Sequence, residues 1–208
     1  MPIIVDEEFC KALYKAAESS ICIMEYGYGL RLYREYLSRC PEIPGAWHGL
    51  AICLEATGNR EDARRAYERA LELNLRYSNA SNLLWAGWCA FKLGKYELAY
   101  RLFKQSAEKD PNYAYTWHSL AIAAYKIGRR DEGEEAMRRY RAMVKERPYE
   151  RRECEGIRML IEALESLRRF QDKYPELIKV AEDLLTRAVN RNRSICNMIG
   201  FINAGNSQ

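Results

Sequence analysis

Residues 80–113, ASNLLWAGWCAFKLGKYELAYRLFKQSAEKDPNY, decide the fold. Leu83 and Gly87 stand four residues apart, so on a helix they share one face as a bulky knob and a small socket. Gly94 follows where that helix has to end, and glycine accepts the positive φ that turns the chain back. The next stretch, KYELAYRLFKQSAEK, repeats the small-then-large pairing with Ala99 and Phe103. Pro111 then closes the unit, because proline lacks the N–H needed to continue a helix.

The same arrangement recurs on both sides. Gly29/Tyr33, Ala63/Tyr67, Ala99/Phe103 and Gly133/Met137 follow one another at spacings of 34, 36 and 34 residues, the period of a helix-turn-helix repeat array rather than of a single-core enzyme. With unit starts at 10, 44, 80 and 114, the knob is Leu13, Trp47, Leu83 and Trp117, and the socket is Ala17, Ala51, Gly87 and Ala121. The turn position is Met24, Gly58, Gly94 and Gly128. One hairpin cannot bury its apolar stripe alone, so neighbours stack, and Trp47 and Trp117 are expected in the core.

Over about residues 10 to 147 this pattern resembles the tetratricopeptide repeat family. The residues that carry the resemblance are Trp47, Leu50, Ala51, Gly58, Ala63, Tyr67 and Ala70; Leu83, Gly87, Gly94, Ala99, Phe103 and Pro111; and Trp117, Leu120, Ala121 and Gly128. The unit at Cys10 is degenerate, with Met24 at the turn and Gly29, Tyr33, Tyr36 and Pro41 matching. Leu75 stands where proline is usual, two residues are inserted before Ala80, and Tyr140 occupies a normally small position. The resemblance implies an all-α fold, a right-handed superhelical solenoid of antiparallel helix pairs.

Residues 1–147 are thus expected to form an array of about four hairpins. After Pro148 the pattern changes: Ile157, Leu160, Ile161, Leu164 and Leu167 make one helical stripe, and Leu177, Val180, Ala181, Leu184 and Ala188 make another. Residues 148–193 are expected as a C-terminal helical cap over exposed apolar surface. The last stretch, 194–208, carries Ile195, Met198, Ile199, Phe201 and Ile202 with almost no charge, unlike a disordered tail, and is expected to dock on its own array or on another copy.

In the resembled family, the first helix of each hairpin lines the concave surface. Carried onto this chain, the lining includes Tyr14, His48, Ile52, Leu84, Trp88, Phe91, Tyr115, His118, Ile122, Tyr125 and Lys126. Its aromatic centre is of the residue types that dominate binding hot spots. The expected function is a protein-protein interaction module, a scaffold or chaperone that takes a peptide or helix in this groove. A row of aromatics at helical spacing is more often the mark of a core, and the C-terminal segment is an alternative occupant.

Family members that clamp the acidic tails of heat-shock chaperones use lysine and asparagine at repeat positions 5 and 9. Here those positions are Tyr14 and Glu18, His48 and Ile52, or Leu84 and Trp88, so that clamp is absent. His48 and His118, the only histidines, lie two repeats apart and are expected as groove residues rather than as metal ligands.

Composition narrows the remaining classes. Thirty-three basic and twenty-nine acidic residues leave +4, a mild excess spread along the chain. The alternative functions are a self-associating structural protein and RNA binding through the outer-face arginines Arg60, Arg64, Arg65, Arg129, Arg130, Arg138, Arg139 and Arg141. Against RNA binding, twelve basic residues between 129 and 169 interleave with ten acidic ones, as on a solvated helix face. No phosphate-cradling glycine loop, HExxH or GxSxG occurs, so neither an enzyme nor a cofactor is expected. No apolar run long enough for a membrane span and no secretory leader is read, so the expected location is cytoplasmic.

Seven cysteines, an odd count without a CxxC pair, argue against a disulfide framework and a zinc site. Buried reduced thiols are one reading; a Cys10 to Cys40 bridge across the ends of the first hairpin is the other.

Overall fold

The computed structural model describes residues 7–144 and 152–197. Among these residues the chain is helical throughout, without a strand. The first eight helices form four consecutive pairs: α1 (Glu7–Cys22) with α2 (Tyr26–Arg39), α3 (Pro44–Ala56) with α4 (Arg60–Asn74), α5 (Ala80–Lys92) with α6 (Tyr96–Lys109), and α7 (Ala114–Lys126) with α8 (Arg130–Met143). The turn position of every pair has positive φ: 86° at Gly58, 75° at Gly94, 81° at Gly128 and 59° at Met24. The degenerate first unit therefore keeps the backbone of the others without their glycine. After the turn that follows α4, Asn79 caps α5, its side chain accepting from the Asn82 N–H at 2.9 Å.

The described chain divides into two units. One takes in the described residues of Met1–Pro41, Ile52–Asn59 and Tyr149–Gln208; the other takes in those of Glu42–Ala51 and Arg60–Pro148.

In the first unit, α9 (Arg152–Leu167) lies along α1, and α10 (Pro175–Asn197) packs on α9 and α2, after a single 3-10 turn at Arg168–Phe170. The helices expected as a cap thus pack with the first hairpin. Gly156 permits the approach of α9: a Cβ there would lie 2.7 Å from Cys22 Cβ and 2.8 Å from Ile23 Cγ2. The seam buries Phe9, Leu13, Ala16, Ala17 and Ile23 with Ile157, Leu160, Leu164 and Leu167. Ile161, expected in the stripe of α9, is 39% exposed, and Leu177 of α10 is half-buried while Ile178 takes the buried place. Ion pairs edge the same seam, Lys15 with Glu162 and Arg169 with Glu8, while Arg187 and Arg191 both meet Glu25 Oε1 at 3.0 and 2.9 Å.

In the second unit, successive helices from α4 to α8 pack on one another and α5 also meets α7. The sockets behave as expected, Ala51, Gly87 and Ala121 being buried. The tryptophan knobs do not: Trp47 and Trp117 are half-buried, and the deepest large side chain of this unit is Phe103, at 0% exposure. Indole is large and carries an N–H that seeks a partner, which keeps it near the surface. Trp117 Nε1 donates to the Pro111 carbonyl at 2.8 Å, and the Arg139 guanidinium lies over its ring, 4.6 Å from the centroid.

Candidate functional site

The helix spacing of three and four residues puts Trp88 and Phe91 on one face of α5, and Tyr115, His118, Ile122 and Tyr125 on one face of α7. In the second unit the rings of Trp88, Phe91, Tyr115 and His118 make a continuous run of contacts that takes in Tyr96 and Tyr140. Tyr96 meets Phe91 at a centroid distance of 5.1 Å, Phe91 meets Trp88 at 5.7 Å, and Trp88 stacks on Tyr115 at 6.1 Å. Tyr115 stacks in turn on His118 at 6.1 Å, and His118 packs on Tyr140 at 4.9 Å. Trp88 also sets its edge against the buried Phe103 at 5.5 Å, which ties the run to the core.

The run is partly open to solvent. Within it Tyr115 is 36% exposed and Trp88, Phe91 and His118 are half-buried; elsewhere on α7, Tyr125 is 42% exposed with its ring against Gly133, Ile122 is half-buried and Lys126 is exposed. Leu84, expected among the lining, is 1% exposed and belongs to the core, where its neighbours Leu83 and Ala86 are also buried. Neither α5 nor α7 contains an acidic residue, while each ends on a lysine, Lys92 and Lys126. The Lys126 ammonium stands 4.9 Å from the Tyr96 centroid, a cation over an electron-rich ring. Among the described residues, the Trp88 indole N–H is a buried side-chain donor with no hydrogen-bond partner, so the middle of the run holds an unmet polar group.

His48 is half-buried between Tyr67 at 5.8 Å and Trp85 at 5.1 Å. Trp85, 39% exposed, was not anticipated, nor were Tyr96, Tyr113 and Tyr140; their residue type was the available signal, but they fall outside the repeat positions that line the groove in the family. Tyr14 and Ile52 are half-buried residues of the other unit. Tyr14 packs on Tyr36 at 5.2 Å and hydrogen-bonds Glu18. Burial pushes the Glu18 carboxyl above its ordinary value, while the bond from Tyr14 opposes that rise.

The outer-face arginines are largely occupied by carboxylates. Arg64 pairs with Glu68, Arg65 with Asp62, Arg129 with Glu132, and Arg138 and Arg139 both with Glu135. Glu132 and Glu135 are held below the ordinary carboxylate range, Glu132 by the Tyr100 hydroxyl first and Arg129 second, Glu135 by Arg139 and Arg138. Among the described residues no group of three or more His, Cys, Asp or Glu is placed to hold a metal ion. No helix among them is long and apolar enough to cross a membrane.

Paired helices recurring every 34 to 36 residues, with an aromatic face on α5 and α7, define an α-helical repeat protein. Residues 50–114 match the tetratricopeptide repeat model, and the helix pairs of the described chain have the fold that this repeat builds. Protein FlbA of Caulobacter vibrioides is 29% identical over 122 residues; the match covers 59% of this chain, which spans only 20% of that relative's length. Two solved structures share the fold. MamA (41-end) from Desulfovibrio magneticus RS-1 is 18% identical, with 92% of this chain and 98% of that one covered at a TM-score of 0.51. The APC/C hetero-tetramer Cut9-Hcn1 is 17% identical, with 86% of this chain and 33% of that one covered, also at 0.51.

Proposed function

We propose that this chain is a protein-interaction module whose second unit receives a peptide or helix of another protein on the aromatic run of α5 and α7. The observation that carries the reading is the partial exposure of that run: rings packed edge to face and stacked, anchored on Phe103, with Tyr115 still open and Tyr125 exposed on the same face of α7. Rigid aromatics of this kind supply contact area at low entropy cost, which is why they dominate hot spots. The chemistry favours a partner segment with apolar anchors. Scaffold or chaperone action in the cytoplasm belongs to the same reading.

The experiment is selection from a random peptide library on the full chain, followed by titration of the selected peptide. The Trp88→Ala, Phe91→Ala double variant, shown to be folded by circular dichroism, should lose binding by more than tenfold. Unchanged affinity in the folded double variant would overturn the reading. Self-association through residues 194–208 is the competing occupancy; residues 198–208 lie outside the described residues. Light scattering with and without 194–208 separates it: a molar mass that halves on deletion shows self-association, and a peptide affinity that rises on deletion shows self-filling.

A further inference from the structure

We propose that Cys10 and Cys40 form a redox-active dithiol, a modification site that closes to a disulfide across the mouth of the first hairpin. Thirty residues separate them in sequence, yet their sulfurs are 3.5 Å apart. The juxtaposition follows from the fold. Cys10 lies in the first turns of α1, Cys40 is the C-cap residue of α2, and the paired helices bring the start of one to the end of the other.

A disulfide has its sulfurs about 2 Å apart, so closure requires a movement of about 1.5 Å. Cys40 is placed to supply it. Its backbone has left the helix, at φ −127° and ψ 68°, so its side chain is not held in a helical rotamer. Around the pair the structure is firm: Phe9 stacks on Tyr174 at 4.2 Å, and the Arg39 guanidinium lies 4.8 Å from the Tyr174 centroid. Tyr36 hydrogen-bonds the Cys40 side chain. A clamp of this kind holds both partners near each other while only one side chain turns.

Burial assigns the order of events. Cys40 is half-buried and Cys10 only 5% exposed, so Cys40 is the one that meets an external reagent and Cys10 resolves. The oxidant is a low-molecular-weight disulfide of the glutathione class. Cys40 gives its proton to solvent and its thiolate attacks one sulfur of the reagent; the reagent's S–S bond breaks and one thiolate leaves with the electron pair and takes up a proton. Cys10, deprotonated in turn, attacks Cys40 Sγ and expels the second reagent thiolate. The protein dithiol is oxidised to one S–S bond and the reagent is reduced to two thiols. Elsewhere in the chain, Cys53 and Cys89 are buried thiols pushed up to about 12, which leaves them poor competitors for the oxidant.

The test is to equilibrate the full chain in glutathione buffers of stepped oxidised-to-reduced ratio, quench with acid, alkylate, and map by mass spectrometry. The wild type is expected to fall from seven titratable thiols to five, with a peptide linking residues 10 and 40. Cys10→Ser should stop at one glutathione on Cys40, and folded Cys40→Ser should take none at Cys10. The oxidised wild type should unfold at a higher temperature than the reduced form, a shift absent in both variants. Seven thiols persisting at the most oxidising ratio, or a bridge mapped to another pair, overturns the proposal. So does a glutathione adduct on Cys10 in folded Cys40→Ser formed as fast as that on Cys40 in Cys10→Ser. The wild-type map alone decides the pairing, whatever the folding of the variants.

Discussion

Trp88 on α5 stacks on Tyr115 on α7, with ring centroids 6.1 Å apart and planes inclined by 24°. The pair joins the first helices of two successive hairpins through their side chains, while the second ring of the pair stays 36% exposed. Removing Tyr115 should therefore separate binding from stability. In Tyr115→Ala, thermal unfolding should shift by no more than about 1 kcal/mol, as for a surface ring losing an aromatic pair. Affinity for a selected peptide should fall about tenfold or more, the behaviour of a hot-spot ring. Equal affinity of variant and wild type in a fluorescence titration would place the partner elsewhere.

The core makes the opposite demand. Phe103 is fully buried against Trp88 and beside Gly87, where an added Cβ would fall 2.5 Å from its ring. Phe103→Ala should cost about 3–5 kcal/mol in a denaturant titration, the range for a large buried aromatic. Trp117→Ala loses the hydrogen bond to Pro111 and the Arg139 contact, both at an exposed rim, and should cost about 1–2 kcal/mol. A larger loss at Trp117 than at Phe103 would contradict the burial order.

That order shows what was legible in the sequence. The hairpins and their sockets were, because small and large residues four apart at a constant period leave few other arrangements for a helix pair. The depth of Trp47 and Trp117 was not, since an apolar knob is identified by spacing while the reach of an indole N–H to a backbone carbonyl depends on the loop beside it. The packing of α9 on α1 was hidden too: Gly156 marks a close approach but does not say of which helix. In the candidate site, the register of the first helices names Trp88, Phe91, Tyr115 and Tyr125, and the rings of the first three meet in the structure. Leu84 was misplaced by the same register, because one residue's turn of the helix separates a lining position from the core.

Met24 gives a prediction of gain. It holds the turn of the first hairpin at φ 59° and is 51% exposed, so it bears left-handed strain with little packing in return. Such a conformation costs an L-residue about 1–2 kcal/mol, and glycine adds back about 0.5–1 kcal/mol of unfolded-state entropy. Met24→Gly should accordingly stabilise the chain by about 0.5–1 kcal/mol, raising Tm by about 2 °C. A lowered Tm in calorimetry would mean that the methionine side chain contributes packing that its exposure does not reveal.

Cys53 and Cys89 are buried where Cys40 at the hairpin mouth is half-buried, a difference that alkylation reads. Burial pushes Cys53 up to about 12, with a hydrogen bond from Ser20 opposing it, and does the same to Cys89. At pH 8 the thiolate fraction at either site is on the order of one in ten thousand, against roughly a quarter for an ordinary cysteine. Iodoacetamide on the folded chain should leave residues 53 and 89 unlabelled while Cys40 is modified, and urea should release both. Labelling of Cys89 at the rate of Cys40 without denaturant would show local opening of α5.

The half-buried Glu18 sets a pH dependence of known sign. Its carboxyl is raised from the ordinary 4.5 chiefly by desolvation, so between the unfolded and the raised folded value the native chain binds more protons than the unfolded one. Stability from this group is therefore fully present below 4.5 and is lost as pH rises through the raised value. Glutamine keeps an acceptor for the Tyr14 hydroxyl and removes the ionisation. Glu18→Gln should thus raise Tm relative to wild type at pH 7, with the difference vanishing below 4.5. A difference that grows on acidification would mean that the carboxylate is stabilised by its surroundings, with the hydrogen bond from Tyr14 outweighing the cost of burial.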